Sequence, residues 1–290
     1  MPFDRLVIGC GYLGRRVADR WRAEGLSVAA LTRNESRSAD FRSAGLSPVV
    51  GDLLDRDSLA GLPEADVMLV AVGYDRTAGP SKRQVYVDGL SNLLEATAGR
   101  VGRVVYVSST SVYGVTDGGE VNDDTEAVPG GEAGQICLDA ERLFDEPVYR
   151  DVTSVVLRLA GIYGPDRLLR RAGQLRGGEP ILGNPQAWLN LTHVDDAASA
   201  VIAAATHRQP RARYLISDDE PVRRIDYYGR LAEILGTGPP VFDASAVPRH
   251  AGGLGKRCVA RGAREDLVTA WTFPTYREGL TDAVERSEDL

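Results

Sequence analysis

The chain has 290 residues, enough for one large domain or two unequal ones with a substantial core. Hydrophobic residues make up 43% and charged residues 26%, as in ordinary globular proteins, and a net charge of −7 with pI near 5.2 disfavours nucleic acid and anionic membranes as partners. Cys10, Cys137 and Cys258 are far apart, as are His193, His207 and His250, which favours a reducing compartment and offers no metal-ligand spacing. Asp4 and Arg5 just before the first apolar run argue against a signal peptide. The longest apolar stretch, Ala197 to Ala205, is far short of a membrane span, so a cytoplasmic protein without membrane contact is expected.

The first apolar run, Leu6-Val7-Ile8, is too short for a helix. It leads into Gly9, Gly11 and Gly14 at GxGxxG spacing, then a helical pattern reaching Glu24 and stopping at Gly25. Such a strand, glycine turn and helix can hold a pyrophosphate. Gly9 allows the tight turn, Gly11 lets a ligand approach the backbone, and Gly14 lets the helix pack closely. The free N–H groups of the first helical turn, from Tyr12 and Leu13 onward, then face the phosphates. Ser27–Thr32 reads as a second strand, and a polar helix up to Gly45 leads to a third, Pro48–Val50, ending at Gly51-Asp52-Leu53. A short helix near Asp57–Leu62 precedes a fourth strand, Val67–Val72. Lys82–Thr97 carries Val85, Leu90, Leu93, Leu94 and Thr97 at helical spacing. Arg103–Ser108 is a fifth strand with the β-branched character of one buried on both faces.

Gly114–Gly134 reads as loop, Gln135–Glu146 as helix and Thr153–Leu159 as the sixth strand. Strands alternating with helices predict an α/β fold, a parallel sheet doubly wound about its first strand. After Gly164-Pro165 the pattern degrades. A short helix spans Leu168–Leu175, a turn 177–180 and a helix Val194–Thr206. Tyr214–Ile216 adds a further strand. Helices are expected around Ile225–Leu235, Glu265–Ala270 and Tyr276–Val284. Residues 1–164 plus about 188–217 are therefore expected to form a dinucleotide-binding Rossmann domain, with about 165–187 plus 218–290 as a smaller C-terminal substrate lobe.

NAD-binding sheets usually place an acid at the end of the second strand, to bond the ribose 2′-OH. Here Thr32-Arg33 stands there, and an arginine suits a 2′-phosphate, so NADP(H) is favoured over NAD(H), with Arg15 as an assistant. Asp52 and Leu53, and Ala71, Val72 and Gly73, are where adenine and ribose would lie. For Asp52, capping of the next helix is an equal alternative.

Together these pieces resemble the extended short-chain dehydrogenase/reductases, the NAD(P)-dependent epimerase/dehydratase family. Further matching stretches are 104–114 (VVYVSSTSVYG), 157–165 (LRLAGIYGP), His193-Val194-Asp195-Asp196 and 274–280 (PTYREGL). The resemblance implies a catalytic Ser109 that hydrogen-bonds the substrate oxygen, and backbone at Gly161 and Ile162 that holds the nicotinamide amide. It also implies that Arg167 faces an anionic group such as a nucleotide-sugar phosphate. The family's Tyr-x-x-x-Lys pair is missing: spacing from Ser109 puts Gln135 where tyrosine belongs and Asp139 where lysine belongs. Two readings follow. One is an atypical reductase, epimerase or dehydratase acting on a sugar-nucleotide or small carbonyl or hydroxyl substrate, its proton donor drawn from Tyr113, Tyr163, Tyr74 or Lys82. The other is a non-catalytic NADP(H)-binding redox sensor or regulatory protein. The apolar faces of the helices at 82–97 and 135–146 are candidates for a homodimer interface, or simply cover the sheet.

Overall fold

A computed structural model gives the fold and describes residues 2–146, 149, 152–245, 253–268, 270–288 and 290. In chain order it begins β1 (Phe3–Ile8), α1 (Tyr12–Ala23), β2 (Val28–Thr32), α2 (Ser36–Ser43), β3 (Ser47–Val50), β4 (Ala65–Val70), α3 (Gly89–Thr97) and β5 (Val101–Ser109). There follow β6 (Asp117–Val121), α4 (Glu132–Arg142), β7 (Thr153–Leu159), β8 (Gly161–Tyr163), α5 (Leu169–Arg176), β9 (Ile181–Leu182), β10 (Trp188–Leu189), β11 (Leu191–His193) and α6 (Val194–Thr206). The chain continues through β12 (Arg213–Ile216), β13 (Val222–Arg223), α7 (Arg224–Leu235), β14 (Phe242–Asp243), β15 (Gly255–Cys258), α8 (Arg261–Asp266) and α9 (Tyr276–Glu285).

Seven strands form one sheet in the order β12-β7-β5-β4-β1-β2-β3, and β1 pairs parallel with both β2 and β4. The chain winds outward from β1 in one direction through β2 and β3, then in the other through β4, β5, β7 and β12. The switch between β1 and β4 is where open α/β sheets bind ligands. Every residue of β2 is buried, as are Leu6, Val7 and Ile8 of β1, because helices cover both faces. α1 buries Leu13, Val17 and Trp21, one stripe at four-residue spacing.

Spatial neighbours group the chain into two compact units: residues 1–112, 132–158 and 198–214, and residues 113–131, 159–197 and 215–290. The first has an aliphatic core that includes Leu6, Ile8, Leu59, Met68, Leu90 and Leu93. The second is tyrosine-rich: Tyr163, Tyr227, Tyr228 and Tyr276 pack with Leu231 and Leu280.

Three expectations are corrected. The segment 114–134 is not all loop: Asp117–Val121 forms β6, which pairs parallel with β15. Its Asp-Gly-Gly-Glu sequence has poor strand propensity, so the pairing is imposed by the partner strand rather than by local preference. The helix expected at Glu265–Ala270 runs instead over Arg261–Asp266, because the Asp123 carboxylate accepts the Gly262 N–H at 2.9 Å, a cap supplied from far along the chain; Thr269 lies outside the described residues. The helix expected from Gln135 starts at Glu132 and tightens to a 3₁₀ turn after Arg142. Leu90, Leu93 and Leu94 of α3 and Ala140 of α4 are buried in the first unit's core.

Candidate functional site

The turn after β1 is made of backbone. Gly9 adopts φ +89°, and a Cβ there would lie 2.5 Å from the Ala71 carbonyl oxygen at the end of β4. A Cβ on Gly14 would collide with the carbonyl oxygen of Gly9. Both positions demand glycine for packing. Gly11 differs: a Cβ on it would meet nothing within 4 Å. Gly11 is also the N-cap of α1, with no side-chain cap and no acid in the first turn, so the helix's positive end is not met by the chain's own carboxylates. Leu13 is buried beneath this turn, and the Tyr12 ring lies 4.2 Å from the Arg16 guanidinium carbon. Burial pushes the Cys10 thiol up to about 11, so the turn carries no thiolate to repel phosphate.

At the end of β2, the Thr32 hydroxyl accepts the Asn34 N–H at 3.2 Å and closes a local turn, while Arg33 is exposed. Arg15, expected to assist it, is tied to Asp19 at 2.7 Å one turn along α1. Sequence reading missed Arg37, which reaches back across the turn to donate to the Cys10 carbonyl at 3.3 Å. Its signal was available: a basic residue in the first turn of the helix after β2. Asp52 accepts the Leu54 N–H at 2.9 Å and closes a local turn, while the start of the next helix is met by Asp55 rather than Asp52, and Leu53 is buried in the core. Ala71 and Val72 are half-buried and Gly73 exposed, all following β4.

Ser109 ends β5, and its Oγ accepts the Ser111 N–H at 3.1 Å. The Ser111 hydroxyl lies 3.6 Å from the Cys137 sulfur on α4, which is itself 3.6 Å from the Lys82 ammonium. Gln135 and Asp139 point into a closed polar network. Gln135 Nε2 donates to Asp139 Oδ1 at 2.7 Å, and both terminal nitrogens of Arg83 donate to Asp139 Oδ2 at 2.7 Å. On the inner face of α4, Glu141 is fully buried and accepts from Arg158 Nη2 at 2.7 Å and from the Ser108 hydroxyl at 2.6 Å. This buried pair joins α4 to β7 and to the residue before Ser109.

The second unit holds the other candidates. Tyr113 is buried, with its hydroxyl donating to the Asn122 carbonyl at 3.1 Å, while its own carbonyl accepts from Lys256 at 3.0 Å. Tyr163 is buried and donates to Asp218 Oδ2 at 3.0 Å; burial and that carboxylate raise its pKa far above the usual value. Both phenols are already committed to internal partners. Gly161 and Ile162 lie in β8, paired with Leu191 and Thr192 of β11, and Arg167 is exposed. Buried His193 has its Nε2 3.2 Å from Asp282, but Arg286 reaches both Asp195 and Asp282, at 2.8 and 3.1 Å, so the chain itself meets this acidic charge.

A parallel sheet whose first strand enters an uncapped helix through a glycine turn defines a Rossmann-type α/β protein. The chain belongs to the NAD dependent epimerase/dehydratase family, whose profile matches residues 5–217. It is 28% identical to a Streptomyces 3-diazoavenalumate denitrifying reductase, over 95% of this chain and 98% of the relative. It is also 28% identical to Protein YeeZ of Escherichia coli K12, over 92% and 95% of the two chains. A solved putative NAD-dependent epimerase/dehydratase from Methylobacillus flagellatus superposes with a TM-score of 0.76 at 28% identity, covering 98% of both chains. No helix among the described residues is long and apolar enough to cross a membrane.

Proposed function

We propose that this chain binds NADP(H) at the turn after β1 and acts as an atypical oxidoreductase on a small carbonyl or hydroxyl compound, sugar-nucleotides included. The observation that carries the reading is the turn itself: among the described residues, none comes within 4 Å of a Cβ on Gly11 and no side chain caps α1. Those are the features a pyrophosphate needs, so the residues present fit the coenzyme. No acid stands at the end of β2, where Arg33 is exposed and Arg37 lies over the turn, which favours a 2′-phosphate over a free 2′-hydroxyl. When bound, the coenzyme supplies or accepts a hydride. Ser109 then holds the substrate oxygen, Gly161 and Ile162 contact the nicotinamide amide, and Arg167 meets an anionic substrate group. Residues 1–164 with 188–217 serve as the coenzyme domain, and 165–187 with 218–290 as the substrate lobe. The reductase name of the Streptomyces relative favours reduction as the working direction.

Calorimetry with NADPH and NADH tests this. NADPH is expected to bind more tightly. Arg33→Ala should weaken NADPH by about tenfold, the scale of one lost charge-assisted contact, and leave NADH nearly unchanged. Gly11→Ala should weaken both. Equal loss of the two coenzymes in Arg33→Ala removes the 2′-phosphate role.

One observation favours the second reading, a coenzyme-binding sensor: Gln135 and Asp139 are saturated by each other and by Arg83. Sustained NADPH oxidation with any member of a panel of aldehydes, ketones, quinones and sugar-nucleotides eliminates that reading.

A further inference from the structure

We infer that Lys82 is the proton donor to the substrate oxygen held by Ser109, an inference that rests on the coenzyme reading above. The sequence places only two lysines among 34 basic residues, Lys82 and Lys256. Lys82 follows Ser81, which caps its helix reciprocally: the Ser81 N–H donates to Gln84 Oε1 at 2.8 Å, and the Gln84 N–H to Ser81 Oγ at 3.2 Å. A cation in the first turn of a helix faces the positive end of the dipole, so this placement gains nothing for helix stability. Its ammonium donates to the Ala133 carbonyl at 3.0 Å, lies 3.6 Å from Cys137 Sγ and stands 5.2 Å from the centre of the Tyr86 ring. Among the described residues no carboxylate pairs with it, although Arg83, its neighbour, takes Asp139.

An ammonium has three N–H bonds, and the carbonyl and the thiol engage two. The third is left for an acceptor from outside. Within the first unit, polar contacts run from Lys82 to Cys137, from Cys137 to the Ser111 hydroxyl, and from the Ser111 backbone N–H to Ser109 Oγ, so the cation and the hydroxyl belong to one connected group. In reduction, the substrate's carbonyl carbon gains the hydride, the π pair moves to oxygen, and a Lys82 N–H bond breaks as the new O–H forms. The resulting amine is half-buried and regains its proton from water. A lysine thus stands in for the missing tyrosine.

Reductive methylation with ¹³C-formaldehyde turns both lysines into dimethylamines that keep charge and proton, and Lys82→Arg assigns the Lys82 resonance by its loss. Saturating NADP⁺ should move that resonance and its titration midpoint. In steady-state reduction of an aldehyde or quinone, Lys82→Met and Lys82→Arg should both lose about a hundredfold or more in kcat, the usual weight of a general acid. Their affinity for NADPH should stay within about twofold. A resonance unmoved by bound NADP⁺, a wild-type kcat in Lys82→Met, or full rescue by arginine, which keeps charge without a transferable proton, would each overturn the inference and leave the coenzyme reading standing. Failure of the unmodified protein to bind NADPH overturns both.

Discussion

The two units bury a carboxylate in different ways. In the first, Glu141 lies between Arg158 and Ser108, so its charge is met by a guanidinium and a hydroxyl. In the second, the partners of the Asp218 carboxylate among the described residues are the Tyr163 hydroxyl and the His193 backbone N–H, at 3.0 and 3.2 Å, and burial raises its pKa well above the usual 3.8. A compensated pair locks helix to strand and responds to pH only when its acid protonates. An uncompensated acid makes its unit sensitive to pH over a wider range. The coenzyme turn and Ser109 belong to the first, charge-locked unit.

The contrast breaks most sharply at Glu141. Glu141→Gln leaves Arg158 facing a neutral amide in a site where both side chains are at most 5% exposed. Removing one member of such a pair should cost about 3–5 kcal/mol, read by urea denaturation. A cost below about 1 kcal/mol would mean that the pair is not desolvated as drawn. Because glutamine leaves Ser108 and Arg158 one neutral acceptor oxygen in place of a carboxylate, the end of β5 should loosen, with faster amide exchange at Ser109.

Asp218 gives the next largest effect, and it depends on pH. Its folded pKa is raised, so the stability it contributes is complete below 3.8 and is lost as pH rises from there toward the folded value. Within that window the loss is about 1.4 kcal/mol per pH unit. Asp218→Asn keeps an acceptor for Tyr163 and removes the titration, so its Tm should fall less than the wild type's as pH is raised from about 4. Parallel Tm–pH curves for the two proteins would show that Asp218 is ionised in the fold.

The sheet was legible because its strands are apolar runs separated by glycines and helical patterns, and Gly9 and Gly14 sit where packing requires them. What escaped depends on partners distant in sequence. The poor local propensity of β6 hid its pairing with β15, and the start of α8 is set by Asp123. Glu141 could have been found, since Arg158 interrupts the apolar run Val155-Val156-Leu157 and a buried arginine requires a carboxylate. Lys82 stood among four candidate proton donors in the sequence, but nothing in its spacing singled it out, because its approach to Cys137 spans 55 residues.

The smallest effect separates the two faces of α4. Asp139 lies two residues from Glu141, but its partners Arg83 and Arg142 have side chains 53% and 63% exposed. Solvent screens such pairs, so Asp139→Asn should change stability by about 0–1 kcal/mol, several-fold less than Glu141→Gln. If the outer face of α4 takes no part in proton transfer, the same variant should also keep its NADPH-dependent kcat within about twofold. A large drop in kcat with unchanged stability would place the chemistry on this face, and Lys82 would then have to act through Arg83 and Asp139 rather than through Cys137 and Ser111. Measuring stability and kcat on one preparation of Asp139→Asn therefore decides which side of α4 meets the substrate.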